Sequence, residues 1–289
     1  VVTTLLGYPN VSEGRNAAVI AEIGMAFGDA LLDVHSDPDH HRSAYTLAGA
    51  PGELALAVVP GAAKAVALVD LQGHDGIHPR VGALDVAPIV YLDSADRGAA
   101  GAEALVLADL LGNELGLPVF LYGQLAGGRT RAQLRRGGAA ELARRVHARE
   151  LAPDFGPSRL DPSRGAVLVA ARPPLVAFNV ELRAPATLAD ARAIAALIRE
   201  GGAEGLPGVR AIGLWLSGAG IAQVSTNIED HREAPLAAVV DAVARHAEVA
   251  GAELVGLAPR AAFEGFPEQV PLRGYATIED SLHRRAATS

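Results

Sequence analysis

A chain of 289 residues, half of them hydrophobic and none of them cysteine, can bury one large core or two smaller ones and offers no disulfide, thiol nucleophile or thiolate metal site. Its formal charge of −8 argues against a general nucleic-acid surface, no apolar stretch reaches membrane-spanning length, and the amino terminus lacks a basic region followed by a signal core. The expectation is a cytoplasmic protein with neither nucleic-acid nor membrane partners, and the one lysine, Lys64, lies in a helical pattern that gives little scope for Schiff-base chemistry.

Val1 to Leu6 reads as a strand leading through Gly7-Tyr8-Pro9 into Asn10-Val11-Ser12-Glu13-Gly14-Arg15, where Asn10 and Ser12 are cap residues for a helix marked by Val19/Ile20, Ile23 and Ala26/Phe27. Strands at Leu31 to His35 and Ser43 to Ala48 flank a turn rich in Asp and His, Ser36 to Arg42. Pro51 opens a long helical stretch, and Val86 to Tyr91 reads as the next strand. Between them, His74-Asp75-Gly76-Ile77-His78-Pro79-Arg80-Val81-Gly82-Ala83-Leu84-Asp85 concentrates two imidazoles, a guanidinium, carboxylates and two glycines in one connection. Pro79 pushes His78 away from the α region, so the two histidines are not a helical i, i+4 metal pair. Each is left free for proton transfer, near an ordinary pKa of about 6.5.

Ser94 caps a helix through Leu115, Pro118 to Tyr122 is a strand, and Arg129 to Ala148 alternates charge with Ala and Leu as a surface helix does. A long loop, Pro153 to Gly165, follows. Strands at Leu175 to Leu182, Val209 to Leu216, Ile221 to Glu229 and Leu254 to Leu257, with helices at Leu188 to Glu200 and Leu236 to Val249, repeat the β-α-β-β-α-β order of the first half. The fold class is therefore α/β (α+β): two ferredoxin-like βαββαβ subdomains, over residues 1–173 and 174–289. Alternation puts Gln223, Ser225 and Asn227 on one face of their strand and Asn179 opposite Phe178 and Val180 on its own; Trp215 is assigned to the same polar face.

Several separate motifs in this order resemble the formiminotransferase family, the folate-dependent enzymes of histidine degradation. They are Pro9 through Arg15, Arg42 with Tyr45-Thr46, His74 through Asp85, Leu121-Tyr122-Gly123, Pro153 through Ser158 with Gly165-Ala166, Ala177-Phe178-Asn179 and Ala222 through Asn227. The resemblance implies two α/β subdomains whose sheets face each other across a substrate channel, transfer of a formimino group from N-formimino-L-glutamate to N5 of tetrahydrofolate, and a homodimer. It matches the catalytic histidine to His78 and the folate loop to Gly156 through Gly165, with Gly156, Pro157, Ser158 and Gly165 as its contacts. It also implies that the cyclodeaminase domain fused to some members is absent, so that product is released to a separate enzyme. Ile77 stands where the vertebrate pattern has Glu, His35 where it has Asp, and Pro173 where it has a basic residue.

On this reading Arg80 and Arg42 clamp substrate carboxylates, Asn10 stabilises charge on the intermediate, and Asn179, Gln223 and Asn227 bind the tetrahydrofolate, with or without a polyglutamate tail. No metal is expected. The rivals are a metal-dependent hydrolase using His35, Asp37, His40, His74 and His78, and a folate-binding protein without turnover.

Overall fold

The structure, a computed structural model, describes residues 3–288, and its internal contacts divide the chain between Pro173 and Pro174 into two compact units. The first unit runs β1 (Leu5–Gly7), β2 (Asn10–Val11), α1 (Ala17–Ala26), β3 (Leu31–Asp37), β4 (Arg42–Gly49), α2 (Leu54–Leu68), β5 (Leu84–Val86), β6 (Ile89–Tyr91), α3 (Arg97–Asn113), β7 (Val119–Leu121), α4 (Arg131–Arg135), α5 (Gly138–His147), β8 (Val167–Val169) and β9 (Ala171–Arg172). Its nine strands form one mixed sheet. β3 pairs with β4, β4 with β1 and β2, β1 with β6 and β2 with β5, all antiparallel; β8 and β9 then add in parallel beside β5 and β6, and β7 beside β8.

Three local readings change. Asn10 lies inside β2, and the cap of α1 is Asn16, whose side chain accepts from the amides of Ala18 and Val19. The strand expected at 86–91 is split into β5 and β6 at Ala87-Pro88, because proline has no N–H to give the ladder. The surface helix expected over 129–148 is two helices, broken where Gly137 and Gly138 both adopt positive φ, and their buried Leu134, Leu142 and Val146 pack on the sheet with Phe120, Tyr122 and Leu168. Strands β8 and β9 lie just after the 153–165 loop, in residues to which the sequence reading assigned no element.

One face of this sheet packs against α1, α2 and α3 through Leu5, Tyr45, Leu47, Ile89, Val119 and Val167. Glu103 of α3, only 4% exposed, accepts 2.6 Å hydrogen bonds from the amides of Gly52 and Ala55, capping α2 from a neighbouring helix where no local side chain does so. The opposite face carries the alternate residues. Cross-strand pairing sets Asn10 beside Ala44 and Val86, His35 beside Ala44, and Arg172 beside Val90, so Asn10, His35, Arg42 and Arg172 share that face, partly roofed by α4 and α5.

The second unit runs β10 (Val176–Leu182), α6 (Leu188–Ile198), β11 (Val209–Leu216), β12 (Ile221–Ile228), α7 (Leu236–Ala244), β13 (Val249–Val255), β14 (Leu272–Arg273) and α8 (Ile278–Thr288). Its sheet order is β11-β12-β10-β13-β14. Thr187 starts α6 with a capping box to Asp190, while β14 and α8 lie beyond the last element expected from sequence. The pairs Glu181–Gln223 and Asn179–Ser225 place those side chains together on one face. Trp215 pairs with Ala222 and so lies on the other face, sharing it with the core residues Ala222 and Val224; Leu214, opposite Gln223, occupies the polar face instead. Among the described residues no helix is long and apolar enough to cross a membrane.

Candidate functional site

The loop between α2 and β5 is non-helical through both histidines, as Pro79 requires. His74 is held by its backbone surroundings. Its Nδ1 accepts from the Gly76 amide at 3.1 Å, which makes Nε2 the protonated nitrogen that donates to the His41 carbonyl at 2.9 Å. Its ring stacks on that of His41 with centroids 4.1 Å apart, and the His41 Nδ1 accepts from the Gly14 amide. The sequence reading makes Arg80 a carboxylate clamp; in the structure its guanidinium donates to the carbonyls of His74, Gly76 and His78. An extended loop turns these carbonyls inward, and one planar fork satisfies all three.

His78 meets Arg42. The Arg42 Nη1 lies 2.6 Å from His78 Nε2, and because a guanidinium only donates, Nε2 is an acceptor and the imidazole is neutral with its proton on Nδ1. Burial, then the charges of Arg42 and Arg135, hold the His78 pKa well below the usual histidine range. The same burial and the neighbouring Arg135 bring Arg42 itself down to about 10. Arg135, on α4, bonds the Asp85 carboxylate, whose other oxygen accepts from the Val81 amide at 2.7 Å. Arg131, one turn earlier, lies 5.7 Å from the Tyr122 ring centroid. Arg131, Arg135, Arg172 and Tyr122 were absent from the candidate residues; the charge alternation of 129–148 masked the first two as solvated, and the Gly137-Gly138 pair was the one signal that this stretch folds back.

His78 and Arg80 line a cleft of about 730 Å³ together with Ile77, Leu160, Pro162 and Gly165, so the structure brings the histidine loop to the end of the 153–165 loop. Gly82 and Gly165 make the junction: they pair as a bridge, and Gly165 has φ +71°. A β-carbon on Gly82 would stand 1.9 Å from the Ala166 carbonyl oxygen, a backbone atom with no freedom to yield. Gly82→Ala is therefore expected to cost about 1–3 kcal/mol of stability, the range for overpacking, read as a lower urea midpoint; an unchanged midpoint rejects the account. Gly156 has φ +76° and, with Pro157 and Ser158, lies exposed at the other end of the loop. Asn10 donates to the Tyr8 carbonyl at 3.0 Å from the Arg42 face of the sheet.

In the second unit Asn179 donates to Glu253 at 3.1 Å, Arg273 bonds Glu181, and Gln223 is fully buried with neither amide atom hydrogen-bonded. Asn227 sits further along the Gln223 face. The five residues offered as metal ligands do not converge: among the described residues no three His, Asp or Glu side chains are placed to share an ion, and both nitrogens of His74 are committed to backbone.

Three histidines of this region, His41, His74 and His78, have pKa values lowered mainly by burial. They are neutral in the folded chain and take up protons on unfolding once the pH falls below about 6.5, so stability is expected to be level above that pH and to fall as acid is added. Melting temperature followed from pH 8 to 5 checks this, and His74→Asn, which keeps an acceptor for the Gly76 amide without titrating, is expected to flatten part of the decline.

An α/β scaffold with a buried neutral imidazole, a cluster of guanidiniums on one sheet face and an adjoining cleft defines an acid–base site for an anionic organic substrate. The comparisons are more specific: the model for the N-terminal subdomain of the formiminotransferase domain matches residues 4–172 and that for the formiminotransferase domain matches residues 177–265, so the chain belongs to the formiminotransferase family. It is 34% identical over 284 residues to the glutamate formimidoyltransferase of Streptococcus pyogenes serotype M1, covering 94% of this chain and 93% of that one. It is 31% identical to that of Thermoplasma acidophilum, covering 88% of each. Against the formimidoyltransferase-cyclodeaminase of Sus scrofa identity is 39% over 268 residues, and the match spans 87% of this chain but about half, 49%, of that protein.

Proposed function

We propose that this chain is a glutamate formimidoyltransferase, moving the formimino group of N-formimino-L-glutamate to N5 of tetrahydrofolate. The observation that carries the reading is the neutral His78 imidazole, held at 2.6 Å by a guanidinium in a chain of this family. N5 attacks the formimino carbon and forms the new C–N bond. His78 takes the N5 proton and returns it to the glutamate nitrogen as the old C–N bond breaks, leaving 5-formiminotetrahydrofolate and glutamate. Arg42 turns to the donor's α-carboxylate on binding, which frees Nε2 to accept that proton. Arg80 shapes the loop that carries His78, and Asn10 faces the developing charge.

The folate lies along the 156–165 loop, with Gly156, Pro157, Ser158 and Gly165 as contacts. The polar side chains of Asn179, Gln223 and Asn227 bind its heterocycle; the unpartnered buried amide of Gln223 supports this. Residues 1–173 and 174–289 serve as the two subdomains, each built on a ferredoxin-like βαββαβ core, and the order β11-β12-β10-β13 supports that description of the second. The test supplies formiminoglutamate and tetrahydrofolate, converts product to the methenyl form with acid and follows its absorbance. Turnover supports the reading; its absence with every formimino donor, alongside tight folate binding, favours a binding protein.

A further inference from the structure

Among the described residues, Arg42, Arg131 and Arg172, which gather on one sheet face of the first unit, have no carboxylate bonded to them. Arg42 donates to the neutral His78. Arg131 lies over the Tyr122 ring and makes no hydrogen bond among the described residues. Arg172 lies over the Tyr8 ring, gives one Nη proton to the Pro173 carbonyl and keeps a buried Nε with no acceptor. Their neighbour Arg135, by contrast, has its charge answered by Asp85. Tyr122 is 6% exposed and its buried hydroxyl also has no partner. Half-buried cations without a carboxylate and an orphan buried hydroxyl are costly unless a ligand completes them, and the ligand that suits planar forks and a hydroxyl donor is a carboxylate.

The placement is graded. Tyr122 continues the Phe120 side of β7, Arg42 and Arg172 rise from that same face on β4 and β9, and α4 sets Arg131 over it. Arg42 touches His78; Arg131 reaches Arg42 and His78 through its charge alone, and lies over Tyr122 with Arg172 as a further charged neighbour. In formiminoglutamate the α-carboxylate is separated from the leaving nitrogen by one carbon and the γ-carboxylate by three, so a donor reacting at His78 presents its two anions at different depths.

We propose that Arg131, Arg172 and Tyr122 form a pocket for the distal carboxylate of the donor, leaving Arg42 to the proximal one, so that these three residues select glutamate over amino acids without a side-chain carboxylate. This rests on the transferase reading above. The expected donor preference follows from an unmatched buried guanidinium when that carboxylate is missing.

The experiment compares kcat/KM for formiminoglutamate and formiminoglycine in wild type, Arg131→Gln and Tyr122→Phe, together with calorimetric titration of each protein by L-glutamate. Arg131→Gln is expected to reduce the glutamate-to-glycine preference about tenfold to hundredfold, and Tyr122→Phe, which removes only the hydroxyl, about twofold to tenfold. The L-glutamate Kd should weaken in the same order. An unchanged preference overturns the proposal, as does a loss that instead tracks the number of glutamates on the folate, which would give the pocket to the folate tail. If wild type turns over neither donor the transferase reading fails, and the titration decides alone: L-glutamate binding that depends on Arg131 keeps the pocket, while binding that ignores Arg131, or none, removes it.

Discussion

Replacing His78 with alanine is expected to lower kcat for formimino transfer by about 10²–10⁴, the usual contribution of a positioned acid–base group, with folate affinity preserved. The imidazole is buried and touches the Arg42 guanidinium: burial and the charges of Arg42 and Arg135 keep it deprotonated and able to accept a proton from substrate, and Arg42 fixes which nitrogen carries the proton. Alanine also removes the acceptor of a buried guanidinium, so packing and chemistry change together. His78→Gln separates them, because its carbonyl oxygen can accept from Arg42 while no longer shuttling a proton. The two variants should lose the same factor in kcat, with folate Kd measured by titration near the wild-type value. Full activity in either one rejects His78 as the proton carrier.

Asp85→Ala should destabilise the first unit by about 3–5 kcal/mol, the range for breaking a buried ion pair from one side. Asp85 is 1% exposed; one oxygen holds the Val81 amide and the other holds Arg135. Arg135 in turn acts on Arg42, Arg131 and His78. Removing the carboxylate leaves Arg135 uncompensated among these groups and orphans an amide in the loop that carries His78. Urea unfolding measures the loss. The double variant Asp85→Ala, Arg135→Leu should recover part of it by removing the unpaired charge, whereas recovery only on adding back a side-chain carboxylate would point to the amide bond as the main term. A loss below about 1 kcal/mol for Asp85→Ala would place the pair among weak surface bridges instead.

Much of the fold was legible. β3, β4, β10, β11 and β12 fall within two residues of their sequence ranges, because alternating or β-branched apolar runs bounded by turn residues leave few alternatives. The non-helical His74–His78 segment followed from Pro79. The misses share a cause: β5, β6, β8 and β9 are two or three residues long, too short for periodicity to register, and they exist because neighbouring strands offer them partners. Glu103 could not be recognised as a cap because the helix it caps is about fifty residues away in the chain.

The site divides the same way. The sequence alone determined the histidine-bearing loop, its non-helical course and the family to which the chain belongs, since these are carried by residue types at fixed local spacing. Only the tertiary structure decided that Arg80 holds its own loop, that Arg42 grips His78, that Trp215 lies on the core side of its sheet, and that Arg131, Arg135, Arg172 and Tyr122 gather on one sheet face. An arginine's charge, donors and length are the same on a solvated helix and in a buried cluster. Which of the two it becomes is set by pairing register and by the face a helix covers, and both depend on residues far away in the chain.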